Sequence, residues 1–510
     1  MAEARDDYNR INDVRLSLIE IVSDNGAKLN VTDMVKHISI FEDITSPFLT
    51  GYMYLQDGMN IRQHLPINGN ESVEVTFKTP GIENSQWIKL SLDVTSMSDS
   101  TTTKNDRVSM YKINFSSRIQ RINEQIRINQ NFKGCCSCVF SRILSSIAPN
   151  SSCTVEKTKG EFDFVIPNLK PLDSIQFLVK KSISDKPPNN SNYMHYESIH
   201  GHNFISMGFL TNNPVARDYS FEAPTTMKDI GEEMVMLRQR MTIQDYEITK
   251  EFDRVDDARE GVYFSTLITH DITTKQISVN YHNMHNDDTD TVNEYPVLPR
   301  ESRWSNFTVD NLNVDSIGPT YFRPKQKLAF THLEGSRSNA SNDEIRKTNF
   351  YDPNGKFMEN GLLPGNEDGI PQPANIGSNP DNFNPEDYLL SNRASTSKLG
   401  NSVLTVKVAG DTTLMAGMIV GVKIPSQEPQ TTSESVWWDE FYSGKYMITS
   451  IRHQIDNTVG GGHTCVLELS RDSLPKPIAG RKTIDLGEQY NSTQAVATGA
   501  GWDVSGWFNT

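Results

Sequence analysis

Long apolar runs are missing from this 510-residue chain, and no stretch approaches the ~18 consecutive apolar residues that a membrane-crossing helix needs. Membrane insertion is therefore not expected. A basic surplus is missing as well. Lys and Arg number 49 against 64 Asp and Glu, a formal charge of −15, so the basic face of a nucleic-acid grip is not expected. The segment Met1 to Asp7 is charged with no apolar region behind it, so no secretory signal is read and synthesis in a cytosol is expected. Cysteine is scarce: Cys135, Cys136, Cys138, Cys153 and Cys465. Paired zinc ligands need a Cys-x-x-Cys rhythm repeated at a distance, and the run Cys-Cys-Ser-Cys does not read that way. Reduced thiols packed as small hydrophobes on a helix are expected instead. Signature loops are absent too, with no Gly-x-Ser-x-Gly elbow, Walker loop or dinucleotide fingerprint.

What the chain has is period-two alternation. Val14, Leu16 and Leu18 alternate with polar neighbours, as do Val73, Val75 and Phe77, then Ile88, Leu90, Leu92 and Val94, then Tyr111, Ile113 and Phe115. This rhythm predicts strands with one face buried. Asp24-Asn25-Gly26, Asn68-Gly69-Asn70 and Thr79-Pro80-Gly81 punctuate the runs, so residues 1–125 read as an antiparallel sandwich or barrel. The rhythm then becomes three-four. Cys136, Val139, Phe140, Ile143, Leu144 and Ile147 predict an amphipathic helix ending before Pro149. A second helix opens at Pro171 with Asp173 in its first turn and buries Leu172, Ile175, Leu178 and Val179. Strands Tyr193 to Glu197 and Phe204 to Leu210 follow around His200-Gly201, making 126–222 a small α+β domain.

Strands return from Tyr246, with Ile277, Val279 and Tyr281 in alternation, and resume after a short helix over Pro385 to Lys398. Leu404, Val406 and Val408, then Val420, Val422 and Ile424, then Tyr446 and Ile448, then Cys465, Leu467 and Leu469 belong to this second set. Segments 223–285 and 390–478 thus form one strand-rich domain. Residues 286–389, rich in Asn, Asp, Pro and Gly, are too long for a plain loop and read as a surface insertion, partly mobile. The tail 479–510 is Gly-, Ser- and Thr-rich but carries Trp502, Trp507 and Phe508, a docking candidate as well as a frayed end.

Reactive constellations are weak. His195, His200 and His202 lie close in sequence, as do His282, His285, Asp287 and Asp288, but neither group has a metal-ligand spacing on one helix, and His200 and His202 fall at a turn where exposure is the default. The pairs Asp256-Asp257 and Glu232-Glu233 are adjacent, so their side chains diverge and read as solvated charges. Met227, Ile230, Met234, Leu237 and Met241 fall at helical spacing and read as a helix on its own core, with a seam for a partner helix as the other reading. Gly460-Gly461-Gly462 sits in a strand-to-strand turn and is no phosphate cradle. No catalytic residue, metal or cofactor is expected.

One stretch is more telling. Ile38 to Asp57, reading ISIFEDITSPFLTGYMYLQD, together with Leu65-Pro66-Ile67-Asn68-Gly69-Asn70-Glu71, resembles the first barrel of the baseplate hub proteins of contractile-tailed bacteriophages. Tyr246-Glu247-Ile248, Gly261-Val262-Tyr263 and His270-Asp271-Ile272 are similar to the same family. So are Ala416 to Val420, Gly444-Lys445-Tyr446-Met447-Ile448 and Ile451-Arg452-His453. The resemblance covers roughly 1–285 and 390–475.

The resemblance implies a mainly β fold with α+β, in which two tail-tube-like antiparallel barrels flank the helix-containing domain and carry the loop-rich insertion. It implies a structural protein of the virion baseplate, assembled in the host cytoplasm. The form implied is a homotrimer whose three copies of two barrels make a six-part ring, adapting a six-fold tail tube to a three-fold spike. Partners would be the central spike protein, the tail tube or its initiator, other baseplate proteins and a tape-measure protein, with viral DNA passing through the lumen unbound. Ring contacts are expected at Ser46, Pro47, Phe48, Leu49, Tyr52 and Tyr54 and at Gly417, Val420, Val422 and Ile424. Two other readings stay open. A trimeric spike base of a related secretion or tail-like system would share the fold and be marked by a fused spike; a metal-dependent hydrolase would be marked by stoichiometric metal lost on replacing His200 and His202.

Overall fold

The structure is a computed structural model that describes residues 11–59, 61, 67–82, 85–102, 108–186, 190–221, 238–271, 277–283, 292–293, 295–296, 319–325, 385–400, 402–426, 438–439, 441–458 and 461–475. The first strand rhythm becomes β1 (Arg15–Val22), β2 (Lys28–Asn30), β3 (Val35–Asp43), β4 (Thr50–Asp57), β5 (Ser72–Lys78), β6 (Ile88–Thr102) and β7 (Ser109–Ser117). Going round, β1 pairs with β5, β5 with β6, β6 with β7, β7 with β4 and β4 with β3, all antiparallel. β2 pairs with β1, and a hydrogen-bonded turn from Val31 to Val35 leads from it into β3, so the two ends of this array are joined through the chain. There the Val31 amide donates to the Ile19 carbonyl at 2.9 Å.

The ring is filled from inside, as alternation predicts. Val73, Val75 and Phe77 meet Tyr111, Ile113 and Phe115 in one apolar cluster. Burying a large apolar side chain of this kind contributes about 1.5–3 kcal/mol. β1 departs from the expected phase. A bulge between Leu16 and Leu18 inserts one residue, so the core side chains are Ile19 and Ile21 while Leu18 is only half-buried. An extra residue flips every later side chain to the other face, which simple alternation does not anticipate.

The middle segment holds α1 (Arg118–Gln125), β8 (Ile128–Gly134), α2 (Cys136–Ile147), β9 (Cys153–Val155), β10 (Phe162–Leu169), α3 (Pro171–Val179), β11 (Tyr193–Ser198), β12 (Gly201–Ser206) and α4 (Met207–Thr211). The six expected apolar positions of α2 are all buried, and they pack with Leu172, Ile175, Leu178 and Val179 of α3. Two readings are corrected here. Cys135 and Cys138 form a disulfide rather than standing as reduced thiols. Cys135 caps α2 and Cys138 follows one turn later on the same face, which brings the two sulfurs together. The second strand of the hairpin begins at Gly201, not Phe204, and Met207 to Leu210 are helical because Ser206 caps a turn of helix by accepting from the Phe209 amide at 3.2 Å.

A second ring follows. Its strands are β13 (Val215–Ser220) and β14 (Asp245–Lys250), then, after the elements given next, β19 (Ser402–Ala409), β20 (Ile419–Lys423), β21 (Gly444–Asp456) and β22 (His463–Arg471). Here β14 pairs with β19, β19 with β22, β22 with β21, β21 with β20, and β20 runs parallel to β13. A parallel bridge from Ser220 to Thr242, just ahead of β14, closes the ring. Between β14 and β19 come α5 (Arg254–Glu260), β15 (Phe264–Asp271), β16 (Ile277–Asn283), β17 (Tyr295–Pro296), β18 (Thr320–Lys325) and α6 (Leu389–Lys398). β15 is the centre of a three-stranded sheet with β16 and β18, and β17 pairs with β23 (Ser473–Leu474).

The two rings are one sheet. β3 of the first pairs antiparallel with β21 of the second, from Asp43 opposite Ser450 to His37 opposite Asp456, so thirteen strands are hydrogen-bonded continuously. The architecture is mainly β. The Met227 to Leu237 stripe and most of 286–389 lie outside the described residues; Met241 packs half-buried on the second core. Among the described residues no helix is long and apolar enough to cross a membrane.

Gly51 is where this sheet has least room. A Cβ there would lie 2.4 Å from the Phe115 ring and 2.5 Å from the Ser39 carbonyl oxygen. Gly51→Ala is expected to cost about 1–3 kcal/mol by overpacking, read as a lowered melting temperature. Gly58→Ala, where nothing lies within 4 Å, is the control and should melt as the parent does.

Candidate interface and the buried junction

β3 and β21 carry the polar groups that tie the molecule together. Glu42 on β3 points inward and is buried. Its Oε1 accepts from the Ile199 amide of the middle segment at 2.8 Å, and its Oε2 accepts from the Ala416 amide of the second ring at 3.0 Å. His453 Nε2 on β21 stands 3.6 Å from the same carboxylate. A second buried carboxylate, Glu197, accepts from the Leu49 amide at 3.0 Å and from the Ser117 hydroxyl at 2.5 Å, joining the middle segment to the first ring. Arg240 donates to the carbonyls of Gly410 (2.7 Å) and Pro80 (3.3 Å), bridging the rings. Buried backbone groups must find partners, and these side chains supply them where ladders end.

The opposite face of β3, β4 and β21 is half-exposed and aromatic. His37, Phe41, Tyr52 and Tyr54 stand with ring centroids 5.6–6.2 Å apart. Arg452 donates to the Tyr52 hydroxyl at 2.7 Å and lies over the Phe41 ring, and Lys112 sits 4.4 Å from the Tyr52 centroid. Aromatics interleaved with cations on a flat sheet are the residue types that anchor protein contacts.

The residues singled out for ring contact are placed as follows. Tyr52 and Tyr54 belong to this outer face. Ser46 donates to the Phe48 carbonyl at 2.8 Å, Pro47 and Phe48 are half-buried, and Leu49 is buried beside Glu197. Val420, Val422 and Ile424 point into the second core, and Gly417, at φ +90°, lies under the Tyr196 hydroxyl. Within one chain Gly417 and these three side chains are covered. Trp502, Trp507 and Phe508 lie outside the described residues.

The histidines expected at an exposed turn divide. His200 is exposed, its Nε2 3.0 Å from the Thr412 carbonyl oxygen, while His195 and His202 are buried. The reason is register: His202 pairs opposite Glu197 on the β11–β12 hairpin, which faces the core rather than solvent. Burial holds His195 down to about 3 and His202 down to about 4, and burial pushes Glu197 up to about 7. Among the described residues neither ring nitrogen of His195 has a hydrogen-bond partner. Asp257, expected to be solvated, is also buried and accepts from the Tyr263 hydroxyl at 2.9 Å, while its neighbour Asp256 faces Arg259. His282 is buried, and His285, Asp287 and Asp288 lie outside the described residues. A group the sequence reading passed over is His453, His463 and Cys465. Two positions apart on a strand puts His463 and Cys465 on one face, and hairpin pairing sets His453 opposite Cys465. Burial pushes the Cys465 thiol up, but His463 and His453 outweigh it and hold the thiol at about 6.

One further surface departs from expectation. Ile277, Val279 and Tyr281 do alternate, but their face is open: they are 67%, 44% and 65% exposed, beside Phe322 at 67% on β18. Alternation selects an apolar face; it does not say whether the same chain covers it.

No protein-family model matches the sequence, and no curated protein does. Among solved structures, the chain is similar to a tail protein from Neisseria meningitidis MC58, at 10% identity and a TM-score of 0.44, over 91% of this chain and 98% of that one. It is similar to the 43 kDa tail protein of prophage MuSo2 from Shewanella oneidensis, at 10% identity and 0.41, over 89% and 98%. A third is the c3393 protein of E. coli, a component of the type VI secretion system, at 6% identity and 0.36, over 92% and 79%. With TM-scores under 0.5, these likenesses do not establish a shared fold.

Removing Glu42 leaves two buried amides without an acceptor. Glu42→Ala is expected to cost about 3 kcal/mol in denaturant unfolding. Glu74→Ala, which breaks an exposed pair with Lys28, should cost under about 1 kcal/mol. The histidines set an acid limit. Their folded pKa values are depressed below the ordinary 6.5, so the stability they contribute is present above pH 6.5 and is lost as pH falls towards about 4 and 3. Glu197 runs the other way, contributing below pH 4.5 and losing that contribution as pH rises to about 7. His195→Leu should therefore flatten the fall of melting temperature between pH 6.5 and 4; an unchanged slope would contradict a neutral buried His195.

Proposed function

We propose that this chain is a structural component of a contractile phage tail, the hub of its baseplate, and acts by assembly rather than catalysis. The observation that carries the reading is the pair of strand rings in one chain, seven strands in the first and six in the second, continuous through β3 and β21. Closed cyclic symmetry satisfies identical surfaces with one another. Three copies of a chain with two rings offer six ring positions, which suits a junction between a six-fold tube and a three-fold spike. The motif stretch Ile38 to Asp57, from which the family resemblance begins, is the β3–β4 hairpin, and β3 is the strand that joins the rings.

The partners in this reading are two more copies of the chain, the spike and the tube or its initiator, with DNA passing through without specific binding. Three copies carry three times −15, or −45, and exposed charges are screened beyond about 8 Å. Acids facing the lumen are the ones that keep DNA from adhering. The apolar face of Ile277, Val279 and Tyr281 is the surface this role puts against another subunit or baseplate protein, since an open apolar ladder is otherwise an aggregation hazard.

Light scattering across a dilution series tests the proposal. A trimer, either alone or on adding the spike protein, is the expected result, and Val279→Asp should weaken it. A monomer that binds neither spike nor tube protein would refute the hub role.

A further inference from the structure

His453, His463 and Cys465 are fully buried, with no side-chain surface reaching solvent. Their facing atoms form a tight triangle. His453 Nδ1 lies 3.2 Å from His463 Nε2, Cys465 Sγ lies 3.4 Å from His453 Nδ1, and the same sulfur lies 3.6 Å from His463 Nε2. Around a tetrahedral ion with metal–nitrogen bonds of about 2.05 Å and a metal–sulfur bond of about 2.3 Å, ligand atoms stand about 3.3–3.6 Å apart. The triangle already has the edges of such a site.

The outward nitrogen of His463, Nδ1, lies 3.3 Å from the Thr79 hydroxyl, and the outward nitrogen of His453, Nε2, faces Glu42 at 3.6 Å. A proton on each outward side would leave both inward nitrogens presenting lone pairs beside the sulfur, so three donor atoms converge as the ligands of a metal ion do. A carboxylate or hydroxyl behind each imidazole is also how metal-bound histidines are oriented. Glu42 is itself fixed by the Ile199 and Ala416 amides. The backbone makes room for the arrangement. A Cβ on Gly410 would lie 2.1–2.5 Å from His463, so glycine at 410 lets that ring take its place.

We propose that His453 Nδ1, His463 Nε2 and Cys465 Sγ bind one borderline-soft transition-metal ion at the junction of the two rings. Two imidazoles and a thiolate are a ligand set shared by zinc and by trigonal copper sites. The ion pins β21 to β22 and, through Thr79 and Glu42, holds the first ring to the second. The ion takes the sulfur as thiolate, and no redox step is involved. The site stands independently of the baseplate role.

The test uses the full chain, any affinity tag removed, with metals measured by elemental mass spectrometry. About one zinc or one copper per chain is expected, the element itself deciding between them. X-ray absorption at that metal's edge, on the parent protein, should show one sulfur and two imidazole neighbours. Cys465→Ser and His463→Gln should lower the metal content at least about tenfold. Stripping the parent with a chelator should lower its melting temperature, and returning the metal should restore it. Protein without stoichiometric metal that neither binds nor is stabilised by added zinc or copper would overturn the proposal. So would a metal whose edge spectrum shows no sulfur neighbour. Should either variant fail to fold, the parent's spectrum decides alone.

Discussion

Glu42 is the residue on which the arrangement of the described chain turns. It sits on the strand that joins two rings, and its carboxylate accepts hydrogen bonds from amides of the middle segment and of the second ring at once. A buried carboxylate is costly unless its oxygens are satisfied. Here each oxygen is satisfied by a different part of the molecule, so the three parts are fixed together or the cost returns. Such a group specifies geometry more than it adds stability, because apolar packing could hold these surfaces together but would not set their register.

The rings themselves rest on apolar burial. Each is filled by inward positions of alternating strands, and the ends of each are joined by a different device: a turn between β2 and β3 in the first, a single parallel bridge at Ser220 in the second. Closure removes edges that would otherwise invite pairing with other chains. The edge chosen for continuity, β3 against β21, is fully paired within the chain. Ring-to-ring contact within the chain is thus made by backbone ladder, with Glu42 and Arg240 beside it, while the two faces of the ladder are free to differ. Inward lie the carboxylates and the His453, His463 and Cys465 cluster; outward lie Phe41, Tyr52, Tyr54 and Arg452.

The neutral histidines of the middle segment add a second kind of constraint. His195 stacks edge-on against Phe140, and His202 lies beside it with ring centroids 5.7 Å apart. Neither can take a proton without placing a charge in a low-dielectric core. A segment that contacts both rings therefore carries an acid-sensitive element.

The sequence by itself determined the strand rhythm, the two helices with their buried stripes and the class of fold, because each depends on side-chain period and local turn chemistry. Val73, Val75 and Phe77, or Cys136 through Ile147, needed nothing beyond their own spacing. Tertiary structure alone decided the rest. A one-residue bulge moved the core of β1 to Ile19 and Ile21. Pairing opposite Glu197 buried His202, and a neighbour one helical turn away made Cys135 and Cys138 a disulfide. The open face at Ile277 and the closed one at Val420 have the same alternation and differ only in what packs against them. His453, His463 and Cys465 were visible as letters but not as a site. Their convergence depends on hairpin register, on a glycine at 410 and on two residues, Glu42 and Thr79, that lie more than three hundred positions away. Local pattern fixes which face a side chain takes; only long-range pairing fixes what that face meets.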